Sequence, residues 1–167
     1  GWTLCLYPTL QPARTAKMGF SEYARQIEKA CFLDEKDPVA RWNEIHREVA
    51  QIKKSLDGLG ACVMRLERRS MDLEVRVGER RRWLGISGRN IPSFEVFTSP
   101  DWRGARGVYF ADLPSYRSGN HIEGLRVEFK DGRAVKMTAR RGEAFARRMT
   151  SMDAGACRIG ELSLTDR

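Results

Sequence analysis

The sequence predicts an α+β fold: an N-terminal helical segment, then a mainly antiparallel β-rich portion with short helices. Three observations predict it. Trp42, Ile45, Val49, Ile52 and Leu56 recur at spacings of 3, 4, 3 and 4, which is one apolar stripe on a long helix. After Gly58 and Gly60 the period falls to 2: Leu73, Val75 and Val77 alternate with Asp72, Glu74 and Arg76, the pattern of a half-buried antiparallel strand. Asp131-Gly132 then separates two further alternating runs, as a hairpin turn does.

Each element can be justified in order. Residues 2–7 are a short apolar run ended by Pro8 and read as a buried strand. A loop containing Pro12 and Gly19 follows. Ser21 offers an N-cap for a helix whose apolar positions are Tyr23, Ile27, Ala30 and Cys31. Asp37-Pro38 starts the long helix, with a capping carboxylate followed by proline at the first helical position. His46 lies beside its apolar stripe and reads as a surface histidine. Cys62, Met64 and Leu66 form a second alternating strand. Gly78-Glu79 turns the chain toward a strand near Trp83–Ile86. Residues 88–104 read as irregular, 108–111 as a strand and 112–120 as a loop. At Asp131-Gly132 a two-residue loop would pair Phe129 with Ala134 and set the apolar residues of the two strands on opposite faces. A three-residue loop of Lys130-Asp131-Gly132, closed by a bulge, would pair Val127 with Val135 and Leu125 with Met137, and is the expected form. A helix over about 142–149, a second short one from Asp153 and a strand at Leu162–Leu164 complete the reading.

Composition narrows the functional classes. The 167 residues carry a net charge of +8. Residues 65–89 hold eight arginines against four carboxylates, and residues 133–148 have six basic residues against Glu143. Such clustering could be a nucleic-acid footprint. No aromatics interleave at a stacking spacing, so solvated strand and helix faces are the preferred reading and no nucleic-acid partner is expected. The longest charge-free stretch, Gly1–Ala13, contains two prolines and is too short to span a bilayer; no membrane partner is expected. Cys5, Cys31, Cys62 and Cys157 form no Cys-x-x-Cys pair, and His46 and His121 are the two histidines, which excludes a zinc finger or ribbon. The cysteines read as free, mostly buried thiols of a cytoplasmic protein. No phosphate-binding glycine loop, nucleophile elbow or His-Glu-x-x-His helix is present, and the catalytic residues remain unassigned.

Two lone carboxylates stand out. Glu95 lies in Asn90-Ile91-Pro92-Ser93-Phe94-Glu95-Val96-Phe97-Thr98-Ser99-Pro100, and Glu161 in Gly155-Ala156-Cys157-Arg158-Ile159-Gly160-Glu161. A carboxylate in such an apolar, glycine- or proline-bounded setting needs an arginine, a hydrogen-bond donor or a metal. The residues alone leave these open, with an arginine favoured. The two segments resemble motifs of the bacterial two-metal aminopeptidases typified by aminopeptidase T and aminopeptidase S, a family of thermophilic-metalloprotease type. Tyr7-Pro8-Thr9, Asp37-Pro38-Val39 and the hairpin from Glu123-Gly124 to Gly132 agree as well, so the resemblance covers the whole chain. It departs at Phe94, where the family often has glycine.

The resemblance implies that Glu95 and Glu161 are metal ligands and that the full enzyme removes N-terminal residues from peptides. It implies two divalent ions, zinc, cobalt or similar, sharing an activated water, and a homodimer. Residues 1–58 would be the end of a first α/β domain, and 59–167 the β-rich part of a metal-binding second domain. The family's histidine and aspartate ligands lie beyond the position of Glu161, so this piece alone is expected to hold metal weakly or not at all and to be inactive. The alternatives are a basic nucleic-acid-binding module and a non-catalytic scaffold domain.

Overall fold

The structure is a computed structural model that describes residues 1–165. In chain order its elements are β1 (Leu4–Cys5), α1 (Leu10–Thr15), α2 (Phe20–Ala30), α3 (Pro38–Gly58), β2 (Cys62–Arg68), β3 (Met71–Val77), β4 (Leu84–Gly85), β5 (Asn90–Ile91) and β6 (Glu95–Thr98). They continue with β7 (Arg106–Phe110), β8 (Ser115–Arg117), β9 (Asn120–Ile122), β10 (Arg126–Lys130), β11 (Arg133–Thr138), α4 (Glu143–Thr150) and β12 (Leu162–Thr165). This is the α+β arrangement predicted, with helices first and antiparallel strands after. No helix among the described residues is long and apolar enough to cross a membrane. The chain packs as two compact units. One comprises Gly1–Gly58, Trp83–Phe97 and the described part of Ser163–Arg167; the other comprises Leu59–Arg82 and Thr98–Leu162.

The first unit is organised by α3. Asp37 caps it, its carboxylate accepting the Ala40 N–H at 2.9 Å, and Pro38 occupies the first turn, where no N–H is needed. Ile45 and Val49 of the predicted stripe are buried; Ile52 is not. Phe32, Trp42 and Phe94 form an aromatic cluster with centroids 5.2–6.0 Å apart, and the Trp42 indole N–H donates to the Cys31 carbonyl at 3.1 Å. The strands of this unit are short: β1 pairs in parallel with β5, and β12, β6 and β4 form a three-stranded sheet.

Several expectations need correction here. The apolar run 2–7 is not a buried strand: only Leu4 and Cys5 pair, and Trp2, Leu4, Leu6 and Tyr7 are exposed. Cys5 is exposed too, and Cys31 is the one fully buried thiol. The segment around Pro12 is helix α1, because proline in a first turn removes an N–H that has no helical partner anyway. Helix α2 starts at Phe20 with Gly19 rather than Ser21 as its cap. The irregular stretch 88–104 holds β5 and β6, and Glu95 therefore opens a strand.

The second unit is a five-stranded antiparallel sheet in the order β11-β10-β7-β3-β2. Leu73, Val75 and Val77 are buried as the alternation predicts. Helix α4 lays Ala146 against Val127 and Met137, with Ile122, Leu125, Phe129 and Ala134 around them. The predicted hairpin exists, but its loop has two residues. Asp131 and Gly132 both have positive φ, +50° and +74°, and Lys130 pairs with Arg133 and Phe129 with Ala134. The face conflict that a two-residue loop creates is resolved inside β11. The register slips between Glu128 and Phe129, leaving Val135 unpaired and exposed and setting Val127 opposite Met137. The bulge is in the strand, not in the turn.

Two more corrections concern this unit. The expected loop 112–120 contains β8, which pairs with β9 through the Ser118-Gly119 turn, both residues at positive φ. The expected helix at Asp153 is a turn, in which the Asp153 carboxylate accepts the N–H groups of Gly155 and Ala156 at 2.7 and 2.9 Å.

Candidate functional site

Strand β6 splits its side chains between two environments, as a period of 2 requires. Phe94 and Val96 face an apolar pocket of about 270 Å³ along Ile45, Val49 and Ile52 of α3. Glu95 and Phe97 face a different, more polar pocket of about 600 Å³. Phe94 is the residue that departs from the family pattern, and its place is physical: it stacks on Trp42 at 5.6 Å, edge-on to Phe32, and so anchors the start of the strand. Gly85 of β4 completes the seating. A Cβ there would lie 2.3 Å from the Glu95 carbonyl oxygen, so only glycine lets the two strands approach this closely. The Ile91–Pro92 bond that leads into this segment is cis.

The pocket at Glu95 is lined also by Trp2, His46, Lys53, Leu84, Arg89 and Ser93. Glu95 is half-buried, and neither a salt bridge nor a side-chain hydrogen bond reaches its carboxylate among the described residues. The arginine partner favoured by the residues alone is therefore absent there. His46 and Lys53 reach this pocket from one face of α3, being seven residues, or about two turns, apart. The seven-residue spacing is the one sequence signal for this wall, and beside the apolar stripe it is indistinguishable from an ordinary solvated helix face.

Glu161 lies in the second unit, at the end of a well-tied loop. The Cys157 carbonyl accepts the Ala134 N–H at 2.8 Å, and the Arg158 N–H donates to the Gly155 carbonyl at 3.0 Å. The Arg158 guanidinium lies 3.9 Å above the Trp102 ring, with Nη1 buried and unbonded. Arg103 covers the same indole at 5.3 Å. Its side-chain hydrogen bonds to Asp101, and then its backbone N–H, hold that carboxyl down to about 2. Glu161 itself is exposed rather than in an apolar setting, and its carboxylate is unpartnered among the described residues.

Glu95 and Glu161 thus belong to different compact units, each with its carboxylate unpaired. Neither is salt-bridged among the described residues, and each is a hard oxygen donor of the kind a divalent ion takes. They do not make a full ligand set. Among the described residues no three His, Cys, Asp or Glu side chains group to hold a metal.

Comparison with known proteins gives a consistent result. The sequence model of the family described as "Thermophilic metalloprotease (M29)" matches residues 1–167. Aminopeptidase T of Thermus aquaticus is 30% identical over 174 residues, which cover 98% of this chain and 41% of that protein. Aminopeptidase PepS of Streptococcus thermophilus is 32% identical over 148 residues, 83% of this chain and 36% of that protein. The solved structure of wild-type AmpT from Thermus thermophilus superposes with a TM-score of 0.77 at 30% identity, over 90% of this chain and 40% of that one. The chain therefore spans about 40% of the length of such relatives.

Proposed function

We propose, from the premise that this chain belongs to the thermophilic metalloprotease (M29) family, that it is part of a metal-dependent aminopeptidase that removes N-terminal residues from peptides. The observation that carries the reading is the unpartnered carboxylate of Glu95, held at a pocket by a strand whose other face is locked into an aromatic cluster. Glu95 and Glu161 would supply oxygen ligands and partly neutralise the ions. When bound, divalent ions supply Lewis acidity toward a peptide carbonyl and an activated water. What this chain's own residues do is hold: Phe94 and Gly85 fix the backbone at Glu95, and the Trp102–Arg158 stack braces the loop before Glu161. On the same reading the ions are zinc, cobalt or similar and the protein is a homodimer. Its four free cysteines suit a cytoplasmic setting.

The test uses the full-length protein carrying this segment. A peptide with a free N-terminus should be shortened stepwise in the presence of a divalent metal, and the acetylated peptide should resist. Glu95→Gln and Glu161→Gln should each lower metal content and reduce turnover by at least about tenfold. Unchanged metal-dependent turnover in both variants would remove the assigned roles. Equal cleavage of free and acetylated peptides would remove the aminopeptidase reading.

A further inference from the structure

The pocket beside Glu95 carries more positive charge than its one carboxylate can neutralise, and that charge is unspent. Lys53 and Arg89 both line it, and neither has a carboxylate within salt-bridge distance among the described residues. Glu95, in the same pocket, bridges to neither of them. His46 adds an imidazole on the same wall as Lys53. Two fixed cations left unpaired around a concavity of about 600 Å³ are available to an anion from outside.

The arrangement is also ordered. The Arg89 guanidinium lies 5.4 Å from the centroid of the Trp2 ring, a cation–π contact that limits its rotamers. The backbone around both residues is tied together: the Leu4 N–H donates to the Arg89 carbonyl at 2.6 Å, and the Thr3 hydroxyl donates to the Gly88 carbonyl at 3.2 Å. The fork of Arg89 is thus presented with its stem held, the geometry that suits the two oxygens of a carboxylate. Phe97 lines the pocket beside these groups and lowers its local polarity, which strengthens any ion pair formed there.

We propose that this pocket is a carboxylate-binding subsite, in which Arg89 and Lys53 receive a carboxylate of the peptide substrate. The assignment of the carboxylate to a peptide rests on the aminopeptidase reading; the anion site rests on the pocket itself. Two sources share this chemistry, the peptide's C-terminal carboxylate and an acidic side chain.

The experiment separates these sources and is independent of hydrolysis. The full-length protein carrying this segment, isotopically labelled and stripped of metal by a chelator, is titrated by NMR with three blocked probes: acetyl-Ala-Ala with a free carboxylate, acetyl-glutamate amide, and acetyl-Ala-Ala amide. At least one carboxylate probe should shift the Lys53, Arg89 and Trp2 signals saturably, while the uncharged amide does not. Whichever carboxylate probe binds names the source. Lys53→Ala and Arg89→Ala should each weaken that binding by about fivefold or more, and Lys53→Arg should restore most of it. Equal response to all three probes, or unchanged binding in both alanine variants, overturns the subsite. No probe contains a free amine and no metal is present, so saturable carboxylate binding alongside failed peptide hydrolysis would overturn the peptidase reading and leave the subsite standing.

Discussion

Phe94 and Glu95 are adjacent in sequence and face opposite surroundings, and substitutions should separate their roles. Phe94 packs on Trp42 and Phe32, so Phe94→Ala removes a half-buried ring and should destabilise the chain by about 2–3 kcal/mol in urea unfolding. The Glu95 carboxylate has no partner among the described residues, so Glu95→Gln should change stability by less than about 0.5 kcal/mol. A large loss from Glu95→Gln would mean that the carboxylate is structural and would count against a ligand role. Asp101 gives a residue-scale prediction in pH. Hydrogen bonds from the Arg103 side chain and then from its backbone N–H lower the folded carboxyl from 3.8 to about 2. The unfolded chain therefore takes up this proton first as pH falls. The stabilisation is complete above the ordinary carboxyl value and is lost as pH drops through the window from 3.8 to about 2. The stability difference between the parent and Asp101→Asn should be flat near neutral pH and shrink across that window. A difference that grows on acidification would contradict the assignment.

The β10–β11 hairpin shows at the scale of elements what the pattern of residues can and cannot specify. Alternation placed Val127 and Met137 on the core side, and both are buried. It did not say where the extra residue needed to align the faces would go. The chain puts it at Val135, because Asp131 and Gly132 already make a two-residue turn and the sheet edge tolerates a bulge there. The turn is also fixed from outside the hairpin: a Cβ on Gly132 would lie 2.0 Å from the Trp102 carbonyl, and the Gly132 N–H donates to the Ala105 carbonyl at 2.9 Å. Gly132→Ala should therefore cost about 2 kcal/mol or more in urea unfolding, beyond the roughly 1 kcal/mol of an unfavourable φ alone. A loss at or below that smaller figure would show that residues 102–103 yield. The same physics explains what was legible elsewhere. Helix α3 was readable because cap, proline and stripe agree at one place. Helix α1, β5 and β8 were not, because each is six residues or fewer and is held by neighbours distant in sequence. Glu95 stands out in the sequence through its motif. The pocket around it does not, since Trp2, Lys53 and Arg89 come from three separate segments that local pattern does not join.

On the scale of the whole molecule, the net charge of +8 poses the remaining question, because a strongly basic chain attracts nucleic acid whatever its function. The two basic windows are less basic in space than in sequence. Arg65 pairs with Asp72 at 2.8 Å, Arg68 with Asp112 at 2.6 Å and Arg147 with Glu143 at 2.8 Å, while Arg140 meets Glu123. These pairs are exposed and add little to stability, but each cancels most of one positive charge at long range. The aromatics beside the arginines do not form a stacking platform either: Trp102 is occupied by Arg103 and Arg158, and Tyr116 stacks on His121 at 4.6 Å. What remains is a diffuse field that retards polyanions at low salt without reading their sequence. The chain should therefore bind duplex DNA and RNA weakly and indifferently. Retention should vanish by physiological salt, and the slope of log K against log salt should correspond to no more than about four phosphates. The measurement is a salt series with two unrelated oligonucleotides of equal length. If one binds at least tenfold more tightly than the other at physiological salt, the basic faces are a reading surface and the charge has a function of its own.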